Sequence, residues 1–256
     1  MTQTTTTKTA QRGSVRIEPS PKRVRIYLGG KVVADTTAAR LVWEKPYYPM
    51  YYVPLADVRA ELEPTGTTTR SPSRGEAVHY TVRAGDTQAT DGALRYPDSP
   101  IAELREAVRF EWTAMDAWFE EDEEIFVHPR DPYQRIDILP SSRHVRVLVN
   151  GELVADSHRP WLLFETSLPT RYYLPKLDVR MDLLEPTDKV TSCPYKGDAQ
   201  YWSVRAGAEL VPNIAWSYQR PIPESIRIAG AVCFYNEKVD IEVDGVLLDR
   251  PHSPFS

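Results

Sequence analysis

Apolar and polar positions alternate along this chain in short runs that break at glycine, asparagine and proline. Val24, Ile26 and Leu28 alternate with Arg25 and Tyr27 before Gly29-Gly30. A period of two ending in such a pair predicts a half-buried strand entering a hairpin. Val145, Val147 and Val149 do the same before Asn150-Gly151, and Asn-Gly favours a type I′ turn because both central residues need positive φ. Leu162-Leu163-Phe164 reads as a short buried strand, and Tyr172-Tyr173-Leu174 as extended because Pro175 disfavours helix in the residue before it. Gln200–Arg205 and Ala215–Tyr218 alternate as strands. Val232–Tyr235 and Val239–Val243 read as a hairpin turning at Asn236-Glu237-Lys238. One short helix is expected in each half, at 102–108 and at 224–228. With 22 prolines and this many short strands, the fold class is mainly β.

The pattern is written twice. Shifted by 121 residues, Val24–Gly30 falls on Val145–Gly151, Val33-Ala34-Asp35 on Val154-Ala155-Asp156, and Tyr51–Pro54 on Tyr172–Pro175. One residue is inserted near Leu184. Glu63-Pro64-Thr65 then matches Glu185-Pro186-Thr187, and Val82–Gly85 matches Val204–Gly207. Ordered matches of this extent indicate a tandem duplication, not a solenoid. The division expected is a tail at 1–14, a first copy at 15–127, a connector at 128–135, a second copy at 136–250 and a tail at 251–256. The connector, His128-Pro129-Arg130-Asp131-Pro132-Tyr133, is stiff rather than Gly/Ser-rich, so the copies are expected to pack together.

Composition narrows the class. Hydrophobic residues make up 41% and charged residues 26%, as in ordinary globular proteins. The net charge of −5 provides no basic field for nucleic acid or an anionic membrane. No apolar run is long enough for a membrane helix, and Met1–Ala10 is a threonine-rich polar stretch rather than a secretory leader. Cys193 and Cys233 are too few for a disulfide framework. A cytoplasmic location is the expectation.

Arg171-Tyr172-Tyr173-Leu174-Pro175, Cys193-Pro194-Tyr195-Lys196-Gly197, Phe234-Tyr235-Asn236-Glu237 and the connector resemble a bacterial family called domain of unknown function 427. The resemblance covers nearly the whole chain. It implies two tandem copies of a small domain similar to the β-tent group, which has zinc-binding and methionine sulfoxide reductase relatives. The family also carries the provisional label nucleotidyltransferase, without agreed catalytic residues.

Asp240, Glu242 and Asp244 alternate along a strand, a shape that suits a metal pair in nucleotidyl transfer. Alternation with Val239, Ile241 and Val243 is equally the mark of a solvated strand face, and Asp116, Trp118 and Glu120 are the counterparts assigned in the first copy. No glycine-rich phosphate loop accompanies the trio. Cys193 stands three residues before Lys196, and a nearby ammonium can lower a thiol pKa, but no resolving cysteine is adjacent. The histidines at 79, 128, 144, 158 and 252 show no ligand spacing, so neither a metal nor any other cofactor is expected, and structural zinc is excluded on cysteine count.

The remaining signal is an aromatic and basic cluster in the second copy: Arg171, Tyr172, Tyr173, Tyr195, Lys196, Tyr201, Trp202 and Trp216. Aromatic walls with a few polar groups suit a small-molecule pocket, though strand aromatics also fill β cores. In the first copy Tyr195, Lys196, Trp202 and Trp216 align with Ser73, Arg74, Tyr80 and Leu94, so a pocket is expected mainly in the second copy, tolerant of anions through Lys196 and Arg171. The alternatives are a nucleotide-handling enzyme and a protein-interaction scaffold. Single-stranded nucleic acid is the lesser reading for the aromatics.

Overall fold

The computed structural model describes residues 15–256. The described residues divide into two compact units, 15–131 and 132–256, and every strand pairing among them is antiparallel. In the first unit the strands are β1 (Arg16–Pro19), β2 (Val24–Leu28), β3 (Lys31–Thr36), β4 (Arg40–Lys45), β5 (Tyr48–Pro54), β6 (Glu61–Ser71), β7 (Gly75–Ala84), β8 (Thr87–Arg95), β9 (Ala107–Phe110), β10 (Ala117–Glu120) and β11 (Glu123–Ile125). They form a seven-stranded sheet ordered β1-β4-β5-β9-β8-β7-β6 and a four-stranded sheet ordered β11-β10-β2-β3.

The second unit holds β12 (Ile136–Pro140), β13 (Val145–Val149), β14 (Glu152–Ser157), β15 (Trp161–Glu165), β16 (Arg171–Tyr173), β17 (Leu184–Cys193), β18 (Gly197–Ala206), β19 (Glu209–Tyr218), β20 (Val232–Phe234), β21 (Asp240–Val243) and β22 (Val246–Leu247). Its small sheet runs β14-β13-β21-β22. Its large sheet is β12-β15-β16 joined to β20-β19-β18-β17 by the Leu174–Val232 bridge. In the first unit Val53 pairs with Val108 at that place. Strand order is therefore the same in both units, as duplication requires.

Each unit is two-layered, with period-two alternation setting what each sheet face buries. Val145, Val147 and Val149 face Tyr172, Val204, Ile214 and Phe234 between the second unit's sheets. Val24, Ile26 and Leu28 face Tyr51, Val82 and Phe110 in the first. The large sheet also buries part of its other face, in a second cluster around Tyr173, Tyr201, Trp216 and Tyr218, matched by Tyr52, Leu94 and Tyr96.

The expected hairpin turns are present. Gly29, Gly30, Asn150 and Gly151 all have positive φ, between +49° and +82°. The short helices are α1 (Ala102–Arg105) in the first unit and a 3₁₀ segment, Pro223–Ile228, in the second. The expected hairpin between Val232–Tyr235 and Val239–Val243 does not form. Lys238 and Val239 donate backbone hydrogen bonds to the Tyr235 carbonyl, so the chain turns, but it leaves one sheet for the other. Strand β20 pairs with β19, and β21 pairs with β13. A hairpin not anticipated joins β21 to β22 through Asp244-Gly245, both at positive φ. The last residues pack on the second unit, where Ser253 is buried and donates to Glu237.

Candidate functional site

The face of the second unit's large sheet turned away from the small sheet brings together Arg171, Tyr173, Lys196, Tyr201 and Trp216. Tyr173 on β16, Tyr201 on β18 and Trp216 on β19 are at most 7% exposed, and Tyr201 and Trp216 are direct cross-strand partners. The Trp216 indole donates to the Tyr173 hydroxyl (3.2 Å) across an edge-to-face ring contact. Tyr235 lies tilted against Trp216 at 4.5 Å between centroids, and its hydroxyl lies 3.3 Å from that of Tyr201. Burial raises the pKa of Tyr173 and Tyr218 well above the usual phenol range, so both stay neutral hydrogen-bonding groups.

Tyr172 and Trp202 lie on the opposite sheet face, where Tyr172 joins the inter-sheet core and Trp202 packs against it. Residues one position apart on a strand point to opposite sides, so the eight-residue set splits. Tyr195 is half-buried, and its carbonyl accepts from the Ser225 hydroxyl.

Both basic residues of the set are buried, and each has a carboxylate partner that spacing along the chain did not reveal. The Arg171 guanidinium makes a two-pronged contact with Glu237 (2.7 Å for each nitrogen) and also donates to Asn236, lying over the ring of Trp216. Burial would raise the Glu237 pKa, but hydrogen bonds from Arg171 and Ser253 outweigh it and hold the carboxyl below its ordinary range. Lys196 Nζ donates to Glu165 (2.6 Å), with both side chains no more than 10% exposed. The two cations are thus neutralised locally, which removes the expected excess of positive charge.

Strand register assigns counterparts in the first unit. Gly75 pairs with Ser71 as Gly197 pairs with Cys193, and Leu94 with Arg109 as Trp216 with Cys233. Lys196, Glu165, Tyr173 and Tyr218 thus correspond to Arg74, Glu44, Tyr52 and Tyr96. There the Tyr52 hydroxyl donates to Glu44 (2.5 Å), Arg74 donates to the Tyr96 hydroxyl (3.1 Å), and Arg109 approaches Glu44 to 3.1 Å. A buried carboxylate, a base and two tyrosines are therefore kept in both copies. The guanidinium has moved: Arg109 is replaced by Cys233, while Met50 is replaced by Arg171. Burial pushes the Cys233 thiol up to about 12, which makes it a packing group and not a thiolate.

A cleft of about 310 Å³, lined by Arg135, Asp137, Phe164, Glu165, Thr166, Leu168 and Thr170, opens beside this cluster. Glu165 belongs to both. Phe164 and Glu165 correspond to Trp43 and Glu44, and in the first unit Trp43 carries Arg16 on its ring (4.4 Å) and donates to Asp131 of the connector (2.8 Å). His128 of the connector stacks on Tyr48 at 4.2 Å. His128 and Asp131 thus pack on that edge of the first unit.

The carboxylate trio does not converge. Asp240, Glu242 and Asp244 each pair with an arginine, namely Arg250 (2.8 Å), Arg146 (3.0 Å) and Arg143 (2.7 Å). Register also corrects their counterparts. Leu148 faces Asp240 as Tyr27 faces Ala117, so the trio corresponds to Ala117, Phe119 and Glu121. None of the described helices is long and apolar enough to cross a membrane. No curated protein matches the chain. The model of one protein family matches residues 16–121 and 137–245, one match per copy. On that coverage, the chain belongs to the family described as domain of unknown function (DUF427).

Proposed function

We propose that the protein binds a small molecule in the second copy, at the cleft where Glu165 meets Lys196. The carrying observation is that one carboxylate, Glu165, both lines an open cleft and pairs with the buried ammonium of Lys196. A volume of about 310 Å³ is at the small end of ligand sites. Phe164 and Leu168 supply apolar surface, while Thr166, Thr170 and the paired charges supply polar edges. Because Lys196 and Arg171 are already neutralised, the reading favours a planar neutral or zwitterionic ligand over a polyanion. The second copy is favoured because in the first Asp131 engages Trp43 at the matching edge, whereas in the second the cleft stays open with Arg135 on its wall and Gln134 bonded to Glu165. Nucleotidyl transfer gains no support from the carboxylate trio, whose members pair with three separate arginines.

The test is a thermal-shift screen of nucleosides, amino acids and planar amides, followed by calorimetry of any hit. Phe164→Glu replaces an exposed ring at the cleft wall, so it should abolish binding while shifting Tm by less than about 2 °C. Lys176→Ala, outside the cleft, should leave affinity unchanged. A panel without hits, or hits indifferent to Phe164→Glu, would remove the proposal.

A further inference from the structure

On the outer face of the second unit's small sheet, His144, Asp156 and His158 stand together with their ligand atoms all within 4.8 Å of one another. The arrangement follows from register. Val145 pairs with Ser157 and Arg146 with Asp156, so His144 and His158 face each other one step beyond. The valines point into the core, and the alternate residues therefore point outward. The imidazoles are stacked at 4.0 Å, and His144 Nε2 lies 2.7 Å from Asp156 Oδ1. Spacing along the chain gave no hint of this set, because His144 just precedes β13 whereas Asp156 and His158 lie at the end of β14 and just beyond it.

The first copy shows what the set replaced. Its counterparts are Arg23, Asp35 and Thr37, and Arg23 grips Asp35 with two hydrogen bonds of 2.7 Å. In the second copy the guanidinium has become an imidazole and the threonine a second one, while the carboxylate stays. The neighbouring arginines are engaged elsewhere: Arg143 pairs with Asp244 (2.7 Å), and Arg146 pairs with Glu242 (3.0 Å) and only approaches Asp156, to 3.6 Å. Asp244 also accepts from the His144 backbone (2.9 Å), which fixes that strand end.

We infer that His144, Asp156 and His158 bind a divalent transition metal such as Zn²⁺. Two imidazoles and one carboxylate suit borderline metals, whereas Mg²⁺ and Ca²⁺ demand oxygen ligands. Zinc bonds of about 2.0–2.2 Å place donors roughly 3.3–3.6 Å apart in a tetrahedron. Small side-chain rotations of Asp156 and His158, both exposed, bring the three atoms to that spacing. Three protein ligands leave the remaining coordination position to water, facing solvent.

The experiment is calorimetric titration of ZnCl₂ into the untagged full chain, with Co²⁺ absorption as the spectroscopic report of imidazole ligation. One equivalent should bind. His158→Thr and His144→Arg, which install the first copy's residues, should each lower affinity by at least roughly tenfold, the scale on which even indirect disturbance of a metal site acts. His252→Ala should leave affinity unchanged. The metal-free Tm of His158→Thr should match the parent's, so that this variant decides the matter should His144→Arg fold poorly. Absence of stoichiometric binding, or equal binding by parent and His158→Thr, would overturn the site.

Discussion

The two copies share one strand order yet balance their buried charge in different ways. The first gathers Arg74, Arg109 and Tyr52 around a single carboxylate, Glu44. The second separates two pairs, Lys196 with Glu165 and Arg171 with Glu237. A carboxylate shared by several cations is robust to the loss of one, whereas a buried carboxylate with a single cation is not. The second copy has thus accepted more exposure to single substitutions, and around those pairs it has gathered the aromatic surface that the first copy lacks. That is the expected direction when one duplicate keeps the scaffold and the other is free to specialise.

The sharpest way to break this comparison is at Arg171 and Glu237. Glu237→Gln should leave a buried guanidinium without its counter-charge and cost about 3–5 kcal/mol, read by urea unfolding. Arg171→Met, which installs the first copy's residue, should cost a similar amount. The double variant should be less destabilised than the sum of the two singles, because it strands no charge. The sign of the pH dependence is also fixed. The Glu237 carboxyl is held below its ordinary range, so its contribution is present above the unfolded value and is lost as pH falls through the folded one. The double variant should lack that acid limb. Additive singles and an unchanged acid limb would show the pair to be energetically idle.

A smaller effect separates Lys196 from Arg74. The sequence placed Lys196 in a pocket, as a cation available to a ligand. Its burial and its 2.6 Å bond to Glu165 reverse that expectation. Lys196→Ala should cost about 2–3 kcal/mol by leaving a buried carboxylate without its cation. Arg74→Ala should cost about 1 kcal/mol, because Tyr52 and Arg109 still serve Glu44. Equal losses from both would show that Glu165 has donors equivalent to those around Glu44.

How much of this was legible in the sequence follows from what kind of contact each feature needs. The duplication, the Asn150-Gly151 turn and the alternation of Gln200–Arg205 depend on local pattern, and all appear in the structure. The false hairpin at Asn236–Lys238 shows where local pattern fails. The turn exists, but which sheet each flanking strand joins is decided by partners far along the chain, Ala215 for Phe234 and Val147 for Ile241. The candidate site was half legible for a related reason. Aromatic and basic residues announce themselves by type, and period two could have sorted Tyr173 from Tyr172 and Tyr201 from Trp202. The carboxylates that neutralise Lys196 and Arg171 lie 31 and 66 positions away, and nothing local marks them among the 36 acidic residues.

The finest test of divergence is at the first hairpin turn. Gly29 has φ +59°, a conformation that asparagine also adopts, as Asn150 does at the same place in the second copy with φ +49°. Backbone conformation alone would therefore allow Gly29→Asn. The obstacle is a neighbour: a Cβ at Gly29 would lie 2.3 Å from Thr87 Oγ1 and 2.6 Å from Thr87 Cβ. In the second copy the position of Thr87 is held by Glu209, which accepts a hydrogen bond from Asn150 Nδ2 (2.8 Å). Turn residue and facing residue have thus changed together. Gly29→Asn alone should destabilise the protein by about 1–2 kcal/mol through overpacking. Adding Thr87→Glu, which keeps the Cβ but removes the Oγ1 contact and supplies the acceptor, should recover about 1 kcal/mol of that, a coupling that a double-mutant cycle on the unfolding free energy can resolve. Strict additivity would mean that the turn relaxes around Thr87 at no cost, and that the glycine in the first copy and the asparagine in the second were reached independently of the residue that faces them.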